Sequence, residues 1–344
     1  MNKKIVYSND RLVWVDTAKG LGIILMIIGH LDPPGSFLHR WIYSFHMPLF
    51  FILSGFVFNW EKYSSVSYRT FFRKKSKQLL LPYFKIALWC FVIFGLISGF
   101  LVFGFTEQYL DLVTKYIVGT LVSRGGVEWM PNCTPLWFLV ALFFAETLFF
   151  LLMKIKRMYL LAVLVPVGFF ISKSNDFFLW NTDVAAFALG FLSFGFCLRK
   201  YDLLLRQPFL VSMLAIVLGF VAFSVNGAVD LNSRTLSNPL LTYVTGITFS
   251  YLLIQFSRKI PDIPLISHLG ANTLVVLGFN YALNSLYHEE VANWVGLFCH
   301  ILSKFIGGFS YHWSISIVFV VAGSFFLIWF NQLLKRTKFK VTSI

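Results

Sequence analysis

Long apolar runs set the pattern of this chain. Stretches long enough to cross a bilayer fall at about 12–31, 41–60, 79–104, 135–153, 159–173, 183–198, 208–225, 239–256, 266–287 and 312–334. Short polar segments separate them, and these alternate in charge. The N-terminus, 61–78, 154–158, 199–207, 257–265 and 335–344 hold most of the Lys and Arg. The opposite set, 32–40, 105–134, 174–182, 226–238 and 288–311, holds only Arg40, Lys115, Arg124, Lys173, Arg234 and Lys304. By the positive-inside rule, the pattern predicts an all-α integral membrane protein of about ten transmembrane helices with both termini cytoplasmic. Segment 292–309 is apolar but contains His300 and Lys304, and it reads as an outer interfacial or re-entrant piece. Residues 1–344 are expected to form a single polytopic membrane domain, since no repeat, linker or low-complexity tract interrupts them.

Composition agrees: 58% of the 344 residues are hydrophobic and only 13% are charged, far from the soluble norm. A net charge of +14 would suggest nucleic acid in a soluble protein. Here it reads as cations gathered in cytoplasmic loops beside membrane lipid, with no nucleic-acid partner. Lys3, Lys4 and Arg11 ahead of an apolar run resemble a signal peptide. The run is long, however, carries Asp16 and Lys19, and meets no small-residue cleavage site, so it reads as a first helix. The cysteines show neither CxxC nor metal spacing, and a Cys133–Cys299 disulfide is the one pairing the outer loops would permit.

Within the first two runs lie polar groups that a plain anchor would not keep: Asp16, Lys19 and His30, then His46 and Ser54. Ionisable side chains at membrane depth are costly and by default mark a site. Lys19 and His30 are about three helical turns, or roughly 16 Å, apart on one face. A connection of about ten residues makes the two helices antiparallel neighbours. His30 and His46 then lie at similar depth and are able to share a cavity. Histidine suits general-base work there, although a pair of hydrogen-bonded packing histidines satisfies the same pattern. Asp16 and Lys19 either neutralise each other at i, i+3 or hold Lys19 ready for an anion. Glu146, well inside the fourth run, needs a partner, and Lys85 is one candidate. Zinc on His30, His46 and Glu146 is not demanded by the spacing, and no metal is expected. In 61–78, Arg69, Arg73, Lys74, Lys75 and Lys77 crowd into nine residues. Such a run is either an orientation signal touching anionic lipid, at about 1 kcal/mol per cation, or a clamp for a cytosolic phosphate ligand.

These residues bring out a resemblance. Val15-Asp16-Thr17-Ala18-Lys19-Gly20 with Gly29-His30, and Phe45-His46-Met47-Pro48-Leu49-Phe50-Phe51 with Ser54-Gly55-Phe56, resemble the acyltransferase-3 family of integral membrane acyltransferases. The basic run closing in Leu81-Pro82-Tyr83 and the later Pro135-Leu136-Trp137-Phe138-Leu139 fit as well. The likeness is nearest to the branch that O-acetylates polysaccharides, often described as fucose-4-O-acetylase-like. It implies a multi-pass protein of the bacterial inner membrane taking an acetyl group from cytosolic acetyl-CoA. The acceptor would be a hydroxyl on a surface glycan or its lipid-linked oligosaccharide precursor.

The resemblance makes His30 the base or acyl relay, with Lys19 standing where relatives commonly carry Arg, so the charge is kept without the bidentate fork. It assigns Arg69, Arg73, Lys74, Lys75 and Lys77 to the nucleotide phosphates. His46, Ser54 and Trp137 would shape the acceptor side, with Glu146 also counted among the substrate-binding residues. Many relatives have a histidine where this chain has Asn280, which is left to orient a group. Some relatives carry a soluble esterase-like domain that this sequence does not show, so the transfer is expected to finish within the membrane domain. A transporter or flippase for an anionic or glycan-linked substrate is the alternative, its intramembrane ions lining a path. A homo-oligomer is left open.

Overall fold

The computed structural model describes residues 12–174, 177–205, 208–286, 317–329 and 332. Its helices are α1 (Val13–Leu31), α2 (Phe37–Tyr43), α3 (His46–Val57), α4 (Trp60–Ser64), α5 (Tyr68–Lys75), α6 (Leu81–Cys90), α7 (Gly99–Phe103) and α8 (Glu107–Val122). They continue with α9 (Trp137–Lys154), α10 (Leu161–Ser174), α11 (Thr182–Lys200), α12 (Pro208–Val225), α13 (Pro239–Lys259), α14 (Pro264–Ala271) and α15 (Thr273–Leu286). Two short strands, β1 (Val229–Asp230) and β2 (Thr235–Leu236), form an antiparallel hairpin before α13. Among the described residues, six helices are long and apolar enough to cross a membrane: Val13–Leu31, Tyr68–Phe103, Thr134–Lys154, Leu179–Lys200, Pro208–Val225 and Pro239–Lys259. Met158–Ser174 and Ile317–Trp329 are shorter apolar helices. The protein is an all-α, multi-pass membrane protein.

Two expected spans are broken rather than continuous. Run 41–60 divides at Ser44 and Phe45, where Phe45 leaves helical geometry at φ −143°. Pro48 has no N–H, and inside an unbroken helix it would leave the Ser44 carbonyl without its donor. The break upstream puts Pro48 in the first turn of α3, where that loss costs little. Run 266–287 divides at Asn272 into α14 and α15. Segment 292–309 and Cys299 lie outside the described residues, and Cys133 is a buried free thiol beside the Tyr116 hydroxyl.

The basic stretch 61–78, expected to be a loop, is mostly helix. Ser67 caps α5 by accepting from the Thr70 N–H at 3.2 Å, as short hydroxyl side chains do at helix starts. From there a 36-residue helix runs from Tyr68 to Phe103, passing through π-helical turns at Ser76–Leu80 and Phe91–Ser98. α8 folds back along its far half, where Tyr116 meets Phe91 and Tyr109 meets Phe100.

The bundle has two distinct ends. α1 and α3 run antiparallel, with Gly22 against Leu49 and Phe50 and Trp14 against Phe56. α9 runs alongside α3, where Phe138 packs on Phe51 and Phe149 on Phe58. The end of α1 that carries His30 therefore meets the starts of α3 and α9. We call it the hairpin end, and the opposite end, where α9, α11 and α13 finish in Lys154, Lys200 and Lys259, the basic end. Two crossings are close enough to require glycine. A Cβ at Gly270 of α14 would strike the Asp16 carbonyl of α1, and one at Gly195 of α11 would strike the Ile52 carbonyl of α3. Small residues at crossings let membrane helices approach backbone to backbone, and here they fix the helices that bear the site.

The hairpin is clamped rather than loose. Buried Arg234 donates through Nε to Asp183 Oδ2 at 3.0 Å, and through its NH2 to Asn181 Oδ1 at 2.9 Å. Ser172 of α10 donates to the same Asp183 oxygen at 2.9 Å. Asn181 in turn donates to the Ser123 carbonyl at 2.7 Å. A buried pair with its remaining valences satisfied is the arrangement that resists opening.

Candidate active site

At the hairpin end, aromatic and imidazole rings converge on the last turn of α1. Tyr43 Oη and His30 Nδ1 share a hydrogen bond of 2.7 Å. The His30 ring lies 6.3 Å from His46 and 5.1 Å from Tyr281 of α15, each edge to face. Tyr43 is 4.9 Å from His46 and stacks at 4.0 Å on His39. The neighbouring Asn280 is buried, and its Nδ2 has no hydrogen-bond partner among the described residues.

The backbone decides the protons on two of these histidines. His46 Nδ1 is 3.0 Å from the Ile42 carbonyl, and His39 Nδ1 is 3.0 Å from the Gly29 carbonyl. A carbonyl only accepts, so in each case Nδ1 is the donor and the neutral ring keeps its lone pair on Nε2. His46 is thereby preset as a base at Nε2. The residue order explains the fit: His39, Tyr43 and His46 are spaced by four and three, so α2 and the first turn of α3 present them to one side. Ser36 caps α2 by accepting from the His39 N–H at 3.0 Å, and the Asp32 carboxylate accepts from the same N–H at 3.1 Å.

One more sequence candidate belongs to this end. Trp137 opens α9, buried, and a Cβ at Gly125 would meet both Trp137 and Asn232 Oδ1, which sets it beside the hairpin. The Asp230 carboxylate of β1 lies within electrostatic reach of Tyr43, His46 and Tyr281. Sequence reasoning named His30, His46, Trp137 and Asn280 but missed Tyr43, His39, Tyr281 and Asp230. Tyr43 and His39 carried a signal, their i−3 and i−7 spacing to His46. Asp230 and Tyr281 carried none, because only the tertiary fold brings them here.

The basic end is different in kind. Glu146, buried in the middle of α9, pairs with Lys75 of α5 at 2.7 Å, an ion pair whose alignment falls outside hydrogen-bond geometry. Its partner is therefore not Lys85, which is exposed, and Glu146 stands apart from the histidines rather than completing a ligand set with them. Among the described residues no cluster of three His, Cys, Asp or Glu is arranged to hold a metal. Lys74 also turns inward, donating to Tyr63 Oη at 3.1 Å. Arg69, Arg73 and Lys77 are exposed, and their spacing of four residues puts them along one side of the helix. Arg69 also borders a cleft of about 300 Å³ lined by aromatic and aliphatic side chains of α5 and α9. The five cations are thus two structural and three available ones.

Asp16 and Lys19 sit in the first half of α1, buried and half-buried, roughly 21 and 16 Å respectively by helical rise from His30. Ser54 is half-buried eight residues beyond His46 along α3, about 12 Å further toward the basic end. That places it at the level of Asp16 and Lys19, away from His30 and His46.

Comparison with known proteins bears on this arrangement. The acyltransferase-3 model, described as an acyltransferase domain, matches residues 12–330. The chain belongs to the acyltransferase-3 family. Its described helices and both ends of α1 fall within that match. One curated relative, Nodulation protein NolL of Mesorhizobium japonicum, is 34% identical over 128 residues, covering 33% of this chain and 32% of NolL. The chain thus matches about a third of that relative's length. No solved structure matches. The two broken helices would suit a transporter, but the family match over residues 12–330 is to an acyltransferase domain.

Proposed function

We propose that this protein is a membrane O-acetyltransferase that moves an acetyl group from cytosolic acetyl-CoA to a hydroxyl of a cell-surface glycan or its lipid-linked precursor. The observation that carries the reading is the pairing of His30 and His46, with their Tyr43 and Tyr281 partners, at the end of α1 opposite the exposed cations. One helix then serves two substrates from two ends. By the distribution of Lys and Arg, the basic end faces the cytoplasm, about ten segments cross, and both termini are cytoplasmic. The membrane is the inner membrane of a bacterium.

Arg69, Arg73 and Lys77 bind the phosphates of the nucleotide, and charge-assisted contacts of this kind are strong. The pantetheine arm extends along α1 past Lys19, bringing the thioester to His30. The acceptor hydroxyl enters from the hairpin end beside Trp137. Its oxygen adds to the acetyl carbonyl as an imidazole takes its proton, the C–S bond breaks, and coenzyme A leaves as the thiol. Asn280, whose buried Nδ2 lacks a hydrogen-bond partner among the described residues, orients the acyl group. The lysine at position 19 supports the thioester's approach as a point charge.

The test is transfer of radiolabelled acetyl from acetyl-CoA into glycan or glycolipid by membranes containing the protein. Label appearing in alkali-labile O-esters supports the reading. Purified, folded protein that never consumes acetyl-CoA with the native membrane's glycolipids present contradicts it.

A further inference from the structure

The two histidines at the hairpin end carry their protons on different nitrogens. His46 donates through Nδ1 to the Ile42 carbonyl at 3.0 Å, so its lone pair is on Nε2. Among the described residues no carbonyl meets Nδ1 of His30; the Tyr43 hydroxyl lies there instead, at 2.7 Å. Two arguments fix which group donates. The bare imidazole nitrogen is a base, with an ordinary pKa of about 6.5, and a phenolic oxygen is a poor acceptor beside it. Tyr43 Oη also has no other hydrogen-bond partner among the described residues. As an acceptor it would leave its own proton unmatched between the rings of His30, His39 and His46; as a donor it leaves only a lone pair idle. Tyr43 therefore donates, and His30 is the tautomer with its proton on Nε2.

Packing holds the phenol to this task. Gly29 precedes His30, and a Cβ there would come within 3.3 Å of Tyr43 Cε2, so the glycine lets the ring lie against α1. Tyr43 also stacks on His39 at 4.0 Å, and His39 is tied through Nδ1 to the Gly29 carbonyl at 3.0 Å. A ring whose Nδ1 accepts and whose Nε2 bears a proton has no lone pair to offer a hydroxyl. The base or relay role that the resemblance gives His30 thus falls to His46, whose ring is 6.3 Å away, edge to face. The Nε2–H of His30 is left uncommitted among the described residues.

We propose that the two histidines divide the chemistry. His46 takes the proton of the acceptor hydroxyl on Nε2, and His30, held in its Nε2–H form by the positioning residue Tyr43, donates to the acetyl carbonyl oxygen as that oxygen becomes negative. The proposal rests on the acetyltransferase reading. The hydroxyl O–H bond breaks to His46, the oxygen bonds to the acetyl carbon, and the carbonyl pair moves onto the oxygen facing His30. That pair returns as the C–S bond breaks, its electrons leaving with sulfur, and the proton on His46 passes to the thiolate. His30 keeps its proton throughout, and no further reactant is needed.

The experiment replaces each histidine by glutamine, whose amide donates a hydrogen bond but takes no proton. Membrane vesicles from native cells, which hold the natural acceptor, carry the full-length variants at matched levels and are supplied with radiolabelled acetyl-CoA. His30→Ala is expected to lose about 10²–10³-fold in rate, and His30→Gln to stay at least tenfold more active than His30→Ala. His46→Gln is expected to be no better than His46→Ala. Tyr43→Phe lowers kcat about tenfold or more and leaves KM for acetyl-CoA unchanged, because it frees the His30 tautomer without touching donor binding. Nitrogen NMR of histidine-labelled full-length protein in nanodiscs reads the tautomers themselves, the His30 signals being those lost in His30→Gln. Protonated Nε2 on His30 beside bare Nε2 on His46 supports the proposal. A proton on Nδ1 of His30, or a His30→Gln variant as inactive as His30→Ala, overturns it. Wild-type vesicles that transfer no acetyl overturn the acetyltransferase reading instead, whatever the tautomers.

Discussion

At the hairpin end of α1, the rings of His30, His39, Tyr43, His46 and Tyr281 lie 4.0 to 6.3 Å from one another, neighbour to neighbour. One hydrogen bond joins His30 to Tyr43, and His39 and His46 are each tied to a backbone carbonyl. At the basic end, formal charges do the organising: Lys75 against Glu146, Lys74 on Tyr63, and three further cations turned outward. The contrast follows from what each end would handle. A network of neutral groups relays a proton without stranding a charge in the bilayer, where an uncompensated ion is costly. A fixed set of cations holds a polyanionic nucleotide at the surface, where water makes the free charges cheap.

Changes that remove one side of this contrast should separate cleanly. His46→Ala deletes the preset base and should lower acetyl transfer by about 10²–10⁴-fold while leaving acetyl-CoA's effect on melting temperature intact. Glu146→Gln leaves the Lys75 ammonium buried without its anion. On the order of 3 kcal/mol of stability should be lost, read as a lower melting temperature in detergent, and Lys75→Met with Glu146→Leu should restore most of it. The triple change Arg69→Gln, Arg73→Gln, Lys77→Gln should raise KM for acetyl-CoA by about tenfold or more with kcat little altered, since these groups bind rather than react. Lys85→Gln should match wild type in melting and in rate, because Lys75 already serves Glu146. An effect of Lys85→Gln as large as that of Glu146→Gln would contradict the pairing.

Much of the hairpin end was legible because its core is local in sequence. His30 and His46 are separated by one short connection, and antiparallel helices at that spacing have few ways to place them apart. The apolar runs marked the helices for the same reason, each run being its own evidence. The breaks at Ser44–Phe45 and Asn272 were hidden because hydropathy does not register a turn that leaves the run apolar; only Pro48 hinted at the first. Glu146 pairs with Lys75 and not with the candidate Lys85 because 61–78, which reads as a loop by its charge, is largely helical. Once α5 is helical from Tyr68, Lys75 lies on the same rod as the following span and reaches α9 before Lys85 does. Ser54 was grouped with His46 by motif, although eight residues of helix carry it to the other end's level. Asp230 and Tyr281 join the site from positions about 185 and 235 residues from His46 along the chain, and no spacing rule connects such distances.

The measurement that tests the central claim most directly is glycan O-acetylation in cells carrying His30→Ala against wild type, with membrane levels matched. The account predicts that O-acetyl esters disappear while the variant still shows a melting shift with acetyl-CoA, because the binding cations lie at the far end of α1. Acetylation that persists at the wild-type level would make His30 a packing residue and contradict the placement of the chemistry at the hairpin end.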